Sequence, residues 1–113
     1  MLLGGNEYYS LGLRPETSKI FAGFGGGFNA EELCGALSGG AGVLGLVFTR
    51  ENGYEAGVVN EATKEFVETF KAALSATNCK TIKESFRKDD IKCTPVVIKS
   101  AEILEKIIKK YQR

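Results

Sequence analysis

From Phe21 to Phe48 the chain carries most of its 14 glycines and one of its three cysteines, and that concentration restricts the fold more than any other feature. A glycine inside a helix costs about 1 kcal/mol relative to alanine, so a run this poor in side chains persists only where something must approach the backbone closely. The stretch opens with Gly25-Gly26-Gly27, a loop that reaches conformations a Cβ disfavours. Asn29 then precedes Glu32 by three residues, the spacing of a reciprocal side-chain cap, which predicts a helix starting at Ala30 and ending near Phe48 or Thr49. Cys34 falls about one turn into it. Gly35, Ser38, Gly39, Gly42 and Gly45 follow at spacings of three and four and lay a bare stripe along one side, suited to a second helix or to a cofactor.

With 113 residues, 43% hydrophobic and 26% charged, the chain is expected to form one domain around a single core. A net charge of +1 gives no electrostatic case for nucleic acid or a membrane surface. Histidine is absent, which removes the commonest metal ligand and the commonest general base together, so any metal must rely on thiolates and carboxylates. Three cysteines do not suit a secreted disulfide framework, and the opening MLLGGNEYY lacks the basic start and apolar run of a signal peptide. A cytoplasmic location is expected. The uncharged run from Leu33 to Thr49 is short for a membrane span and rich in glycine, and reads as a buried helix.

Before the glycine-rich stretch, Met1 to Leu13 shows a weak helical pattern, and Pro15 followed by Glu16 predicts a short helix to about Ala22 with Ile20, Phe21 and Phe24 on its buried side. After it, Arg50-Glu51-Asn52-Gly53 signals a turn and the polar stretch to Val59 a loop. From Asn60, read as a cap, Ala62, Phe66, Phe70, Ala73 and Leu74 share one helical face, with Lys64, Glu65, Glu68 and Lys71 largely opposite. Asn78 is expected to cap a short helix carrying Cys79, Ile82 and Phe86. Arg87 to Lys92 reads as a charged loop. Thr94-Pro95 marks the start of a last helix, with Val97, Ala101, Leu104, Ile108 and Tyr111 as its periodic apolar positions and Lys106, Lys109, Lys110 and Arg113 near its end, where cations suit the helix dipole. The fold class expected is all-α, a bundle of four to five helices around the glycine-rich one.

Gly40-x-Gly42-x-x-Gly45 and Gly25-x-Gly27-x-x-Ala30 match dinucleotide fingerprints in letters only, since neither follows a strand. An anion held on free N–H groups at the glycine loop is a second possibility, and helix packing a third. The cysteines carry a sharper argument. Cys79, directly after Asn78 and beside Lys80 and Lys83, sits where the positive end of a helix favours a thiolate. Cys93 lies at the mouth of the last helix. Cys34 has Glu31 and Glu32 nearby, which would raise its pKa, and Gly35 beside it, which leaves the sulfur room. Taken singly, each is also an ordinary small buried hydrophobe.

Together these segments resemble a bacterial and archaeal family of redox-active proteins named after its cysteine pattern, C_GCAxxG_C_C. Cys34-Gly35-Ala36-Leu37-Ser38-Gly39 stands as the CGAxxG motif, Gly23-Phe24-Gly25-Gly26-Gly27 as the glycine loop before it, Asn78-Cys79 as the third cysteine, and Cys93 with Ser100-Ala101-Glu102-Ile103-Leu104 as the last. The family's first cysteine, in an N-terminal helix of which Met1 to Ser10 looks like the remainder, is absent here, and the resemblance implies either a natural chain that starts further upstream or a member that has lost the thiol. The family is also similar to part of the split-Soret cytochrome c, which carries haem and an iron–sulfur centre; without histidine or CxxCH, haem is not carried over.

The resemblance implies an oxidoreductase or electron-transfer protein in which Cys34, Cys79 and Cys93 act as redox thiols or as ligands of an iron–sulfur cluster or another thiolate-bound metal, with Gly25, Gly26, Gly27, Gly35 and Gly39 against the cofactor. The alternatives are metal-free thiol–disulfide chemistry, with Cys79 and Cys93 as the pair favoured by spacing, and a purely structural or dimerising helical module. A homodimer through the glycine stripe and an apolar surface at Phe21, Phe24, Phe28 and Leu46, and a redox partner protein, are the expected partners; nucleic acid and a membrane span are not.

Overall fold

The computed structural model describes residues 1–49, 57–86, 88, 90 and 92–112, so the expected turn at Arg50 to Gly53 lies outside the described residues. Among those described, the order is α1 (Leu2–Tyr9), α2 (Pro15–Ser18) running on into a 3-10 turn (Lys19–Phe21), a wide turn (Gly27–Glu31), α3 (Gly35–Phe48), α4 (Val58–Leu74), α5 (Cys79–Phe86) and α6 (Thr94–Tyr111). The all-α expectation holds: the pairings outside the helices among these residues are isolated bridges, Leu33 with Asn78 and Lys88 with Lys92.

The glycine-rich helix is central because its missing side chains admit neighbours on two sides. Toward α4, a Cβ on Gly40 would stand 2.5 Å from Phe66 Cζ. Toward α1, a Cβ on Gly39 would stand 2.9 Å from Met1 Cβ and 3.1 Å from the Leu2 backbone nitrogen, and one on Gly42 would stand 3.1 Å from Leu2 Cδ1. Gly5 of α1 returns the fit by receiving Val43. The stripe is therefore filled from within the chain at Gly39, by Met1 and Leu2, and at Gly42, by Leu2 and Phe21. Gly45 meets nothing within 4 Å and takes no part.

Phe66, Phe70, Leu44, Val43, Ile82, Leu104 and Ile108 form the centre of the core, fully shielded from water. Burying each large apolar side chain contributes roughly 1.5–3 kcal/mol. On α4 the amphipathic pattern places Ala62, Phe66, Phe70 and Leu74 inward as expected, while Ala73 is exposed and the helix starts at Val58, with Gly57 rather than Asn60 as its cap. On α6 the inward row is Val96, Ser100, Ile103, Leu104, Ile107 and Ile108. Val97 and Ala101, expected inside, face outward, and Ser100 holds a core position, its hydroxyl satisfied by donating to the Val96 carbonyl at 2.7 Å. Ile20 is likewise 66% exposed: α2 tightens into the 3-10 turn and rotates it outward. Across α4 and α6, Lys110 Nζ and the Tyr111 hydroxyl both donate to Glu65 Oε1, at 2.7 and 2.9 Å, and hold that carboxyl below its ordinary pKa.

Candidate functional site

The segment before α3 departs most from the sequence reading, and the departure builds the site. No helix starts at Ala30. Gly26, Gly27, Phe28, Asn29 and Glu31 all hold left-handed backbone, with φ between 57° and 64°, which a right-handed helix start cannot contain. Asn29 caps nothing, and the turn closes when the Glu32 N–H donates to the Gly27 carbonyl at 2.9 Å. Glu32 to Cys34 then pair with Thr77 to Cys79: the Cys34 N–H donates to the Thr77 carbonyl at 2.9 Å and the Cys79 N–H to the Glu32 carbonyl, flanking the antiparallel Leu33–Asn78 bridge. This tertiary pairing takes the backbone groups that a helix from Ala30 would have used, so α3 begins only at Gly35 and Cys34 becomes its cap residue.

The same bridge sets two cysteines side by side. Cys34 and Cys79 each follow a bridged residue on antiparallel segments, which makes them diagonal neighbours on one face, roughly 7–8 Å apart at the backbone. Each then starts a helix, Cys34 at the cap of α3 and Cys79 at the first residue of α5. The expected cap of α5 is in place, with Asn78 Oδ1 accepting the Thr81 N–H at 2.8 Å. Lys83 reaches back to Glu31 at 3.2 Å and ties α5 to the left-handed turn. Gly27 is buried behind Cys79: a Cβ there would lie 2.7 Å from Cys79 Cβ and 2.5 Å from the Glu32 backbone nitrogen. Cys93 arrives from the other direction as the cap residue of α6, its carbonyl accepting from Val96 and Val97 at 3.0 and 3.1 Å. Reciprocal backbone hydrogen bonds between Lys88 and Lys92 turn the chain just before it.

All three cysteines, distant in sequence, line one cleft of 490 Å³. Gly25, Gly26, Gly35 and Gly39 of the expected cofactor-contacting set line it too, and Gly27 supports it from behind. Phe21 and Phe24 form an aromatic wall with ring centroids 5.0 Å apart. Phe28 continues the ladder at 5.1 Å but stands outside, 43% exposed. The cysteines are free thiols, Cys34 buried and the other two half-buried. Among the described residues no three Cys, Asp or Glu side chains stand close enough together to hold a metal ion, so three thiols share a cleft without forming a ready ligand set.

Burial pushes the Cys34 thiol above its ordinary pKa. The N–H groups of Ala36 and Leu37 at the start of α3 pull the other way without closing a cap hydrogen bond, and the Cys79 and Cys93 sulfurs, Cys79 more strongly, push with burial. Glu31 and Glu32, expected to raise it, are exposed and are not among these causes. With the folded pKa above the unfolded one, Cys34 favours the folded state below the ordinary thiol range, near pH 8.5, and that contribution is lost as pH rises through the folded value. Iodoacetamide labelling of the native protein at pH 8 is therefore expected to modify Cys79 and Cys93 well before Cys34, the lag shrinking as pH is raised. Equal labelling of all three by peptide mass mapping would contradict the buried, protonated Cys34.

Among the described residues no helix is long and apolar enough to cross a membrane. A family model described as "Putative redox-active protein (C_GCAxxG_C_C)" matches residues 1–107. No curated protein and no solved structure matches the chain.

Proposed function

This chain belongs to the C_GCAxxG_C_C family of redox-active proteins, and we propose that its activity is two-electron thiol chemistry in which Cys34 and Cys79 form a reversible disulfide and Cys93 is the third thiol of the same cleft. The observation that carries this reading is the Leu33–Asn78 bridge, which presents Cys34 and Cys79 as diagonal neighbours on the wall of a shared cleft. A disulfide needs Cα atoms within about 7 Å, the lower end of the diagonal separation of about 7–8 Å usual across an antiparallel pair, so closing the pair draws together two segments held by two hydrogen bonds. Spacing alone favoured Cys79 with Cys93; the bridge favours Cys34 as the partner. Cys79, half-buried, is the thiol an oxidant reaches first, and the deeper Cys34 resolves the adduct. The step removes two electrons and two protons from two thiols and leaves one S–S bond, and an incoming two-electron acceptor takes up both.

Equilibration of the reduced protein in dithiothreitol buffers of graded potential tests this. The number of alkylatable thiols is expected to fall from three to one in a single two-electron transition that Cys34→Ser and Cys79→Ser each abolish and Cys93→Ser leaves in place. Three alkylatable thiols at every potential would overturn the reading.

A thiolate-bound metal or iron–sulfur centre on Cys34, Cys79 and Cys93 is the second reading, favoured by three soft donors on one cleft in a chain without histidine. It requires the thiols to be drawn together and at least one more ligand to be supplied, since the side chains do not form a ligating group as they stand. Iron, zinc and copper analysis after anaerobic purification decides it: a stoichiometric metal supports this reading, and none removes it.

A further inference from the structure

We propose, resting on the thiol reading above, that the cleft receives a small, uncharged and largely apolar two-electron acceptor of the quinone class. Its volume of 490 Å³ falls in the range of small-molecule sites, about 300–1,000 Å³. No Asp, Glu, Lys or Arg side chain lines it among the described residues. Its two hydroxyls are already committed as donors within their own turns, Ser18 to the Pro15 carbonyl at 2.6 Å and Ser38 to the Gly35 carbonyl at 3.2 Å. A charged ligand entering this space loses water and meets no charged side chain, only the partial charges of the helix ends, which disfavours it. A flat apolar ring instead meets the edge-to-face pair of Phe21 and Phe24 and the exposed apolar residues Leu3 and Val97, which also line the cleft.

The depth of the thiols points the same way. Cys34 is only 8% exposed and Cys79, the thiol an oxidant meets first, is itself half-buried in the cleft wall, so a ring small enough to enter the cleft reaches the pair more readily than a disulfide on the surface of a folded partner. The chemistry balances: two S–H bonds break and one S–S bond forms, and the two electrons and two protons reduce the quinone's two carbonyl oxygens to hydroxyls. The Ser18 and Ser38 oxygens, spent as donors, remain acceptors for those hydroxyls.

The test uses the reduced full chain under anaerobic conditions with three oxidants: duroquinone, whose fully methylated ring has no free position at which an adduct becomes a lasting thioether; oxidised glutathione, which is charged; and diamide. Each rate is divided by the rate at which the same oxidant consumes free dithiothreitol. Duroquinone is expected to exceed oxidised glutathione by more than about tenfold on this scale, and Ser18→Lys, which adds a cation at a half-buried position on the wall, is expected to bring the ratio down several-fold. A normalised rate with oxidised glutathione equal to or above that with duroquinone overturns the inference. Oxidation by diamide but not by duroquinone overturns it while leaving the thiol reading intact, and failure of diamide to form an intrachain disulfide overturns both.

Discussion

Replacing Gly40 by leucine is expected to abolish folding. Gly40 lies on α3 where α4 crosses it, and Phe66, with no exposed surface at all, occupies the space its side chain would fill. Even alanine there puts a Cβ 2.5 Å from Phe66 Cζ. Its helix propensity favours alanine over glycine by about 1 kcal/mol, but overpacking a closed core costs typically 1–3 kcal/mol, so Gly40→Ala is expected to destabilise on balance. Leucine adds three more carbons in the same direction and exhausts much of a stability that for such domains is about 5–15 kcal/mol. The mechanism is separable from mere loss of a glycine. Combining Gly40→Ala with Phe66→Leu frees the contested space, and urea denaturation is expected to show a favourable coupling of about 0.5–3 kcal/mol. A stabilising Gly40→Ala, or additive effects in the double variant, would show that α3 and α4 do not meet at these residues.

Gly27→Ala is expected to damage stability and chemistry together. The residue is buried with φ of +64°, which for a residue with a Cβ costs about 1–2 kcal/mol, and the new carbon collides with the Glu32 backbone and with Cys79 Cβ. Backbone does not yield as a side-chain tip does, so a further loss of about 1–3 kcal/mol follows. The same collision pushes Cys79 off its place beside Cys34, so the folded fraction is expected to lose dithiol oxidation as well. Gly12→Ala is the control, because Gly12 has φ of +71° and open space around it. It carries the backbone strain alone and is expected to leave thiol oxidation unchanged. Equal melting temperatures for the two variants would remove the close approach at Gly27.

What could be read from the sequence follows a physical division. Helices built on local signals were legible: the α4 stripe of Ala62, Phe66 and Phe70, the Asn78 cap of α5 and the Thr94-Pro95 start of α6 all depend on residues within a few positions of one another. The turn before α3 was not. Asn29 and Glu32 have the spacing of a cap, but the backbone of Glu32 and Cys34 is claimed by Thr77 and Cys79 from the far side of α4, and no local pattern announces a pairing across that separation. The glycine stripe was legible as a demand for close approach, and the sequence could not say by what. Met1 and Leu2 on Gly39, and Phe66 on Gly40, supply the answer. The cysteines' candidacy was visible one residue at a time, whereas their meeting on one cleft is a property of the helix ends that carry them.

That meeting is the centre of the functional account, and peptide mapping of the oxidised protein tests it most directly. The reduced chain is treated with diamide under dilute, anaerobic conditions, quenched in acid, alkylated in denaturant and digested without reductant. The account requires one intrachain disulfide joining the peptide of Cys34 to that of Cys79, with Cys93 recovered alkylated. Recovery of all three cysteines alkylated, or a product cross-linked only between chains, would contradict it.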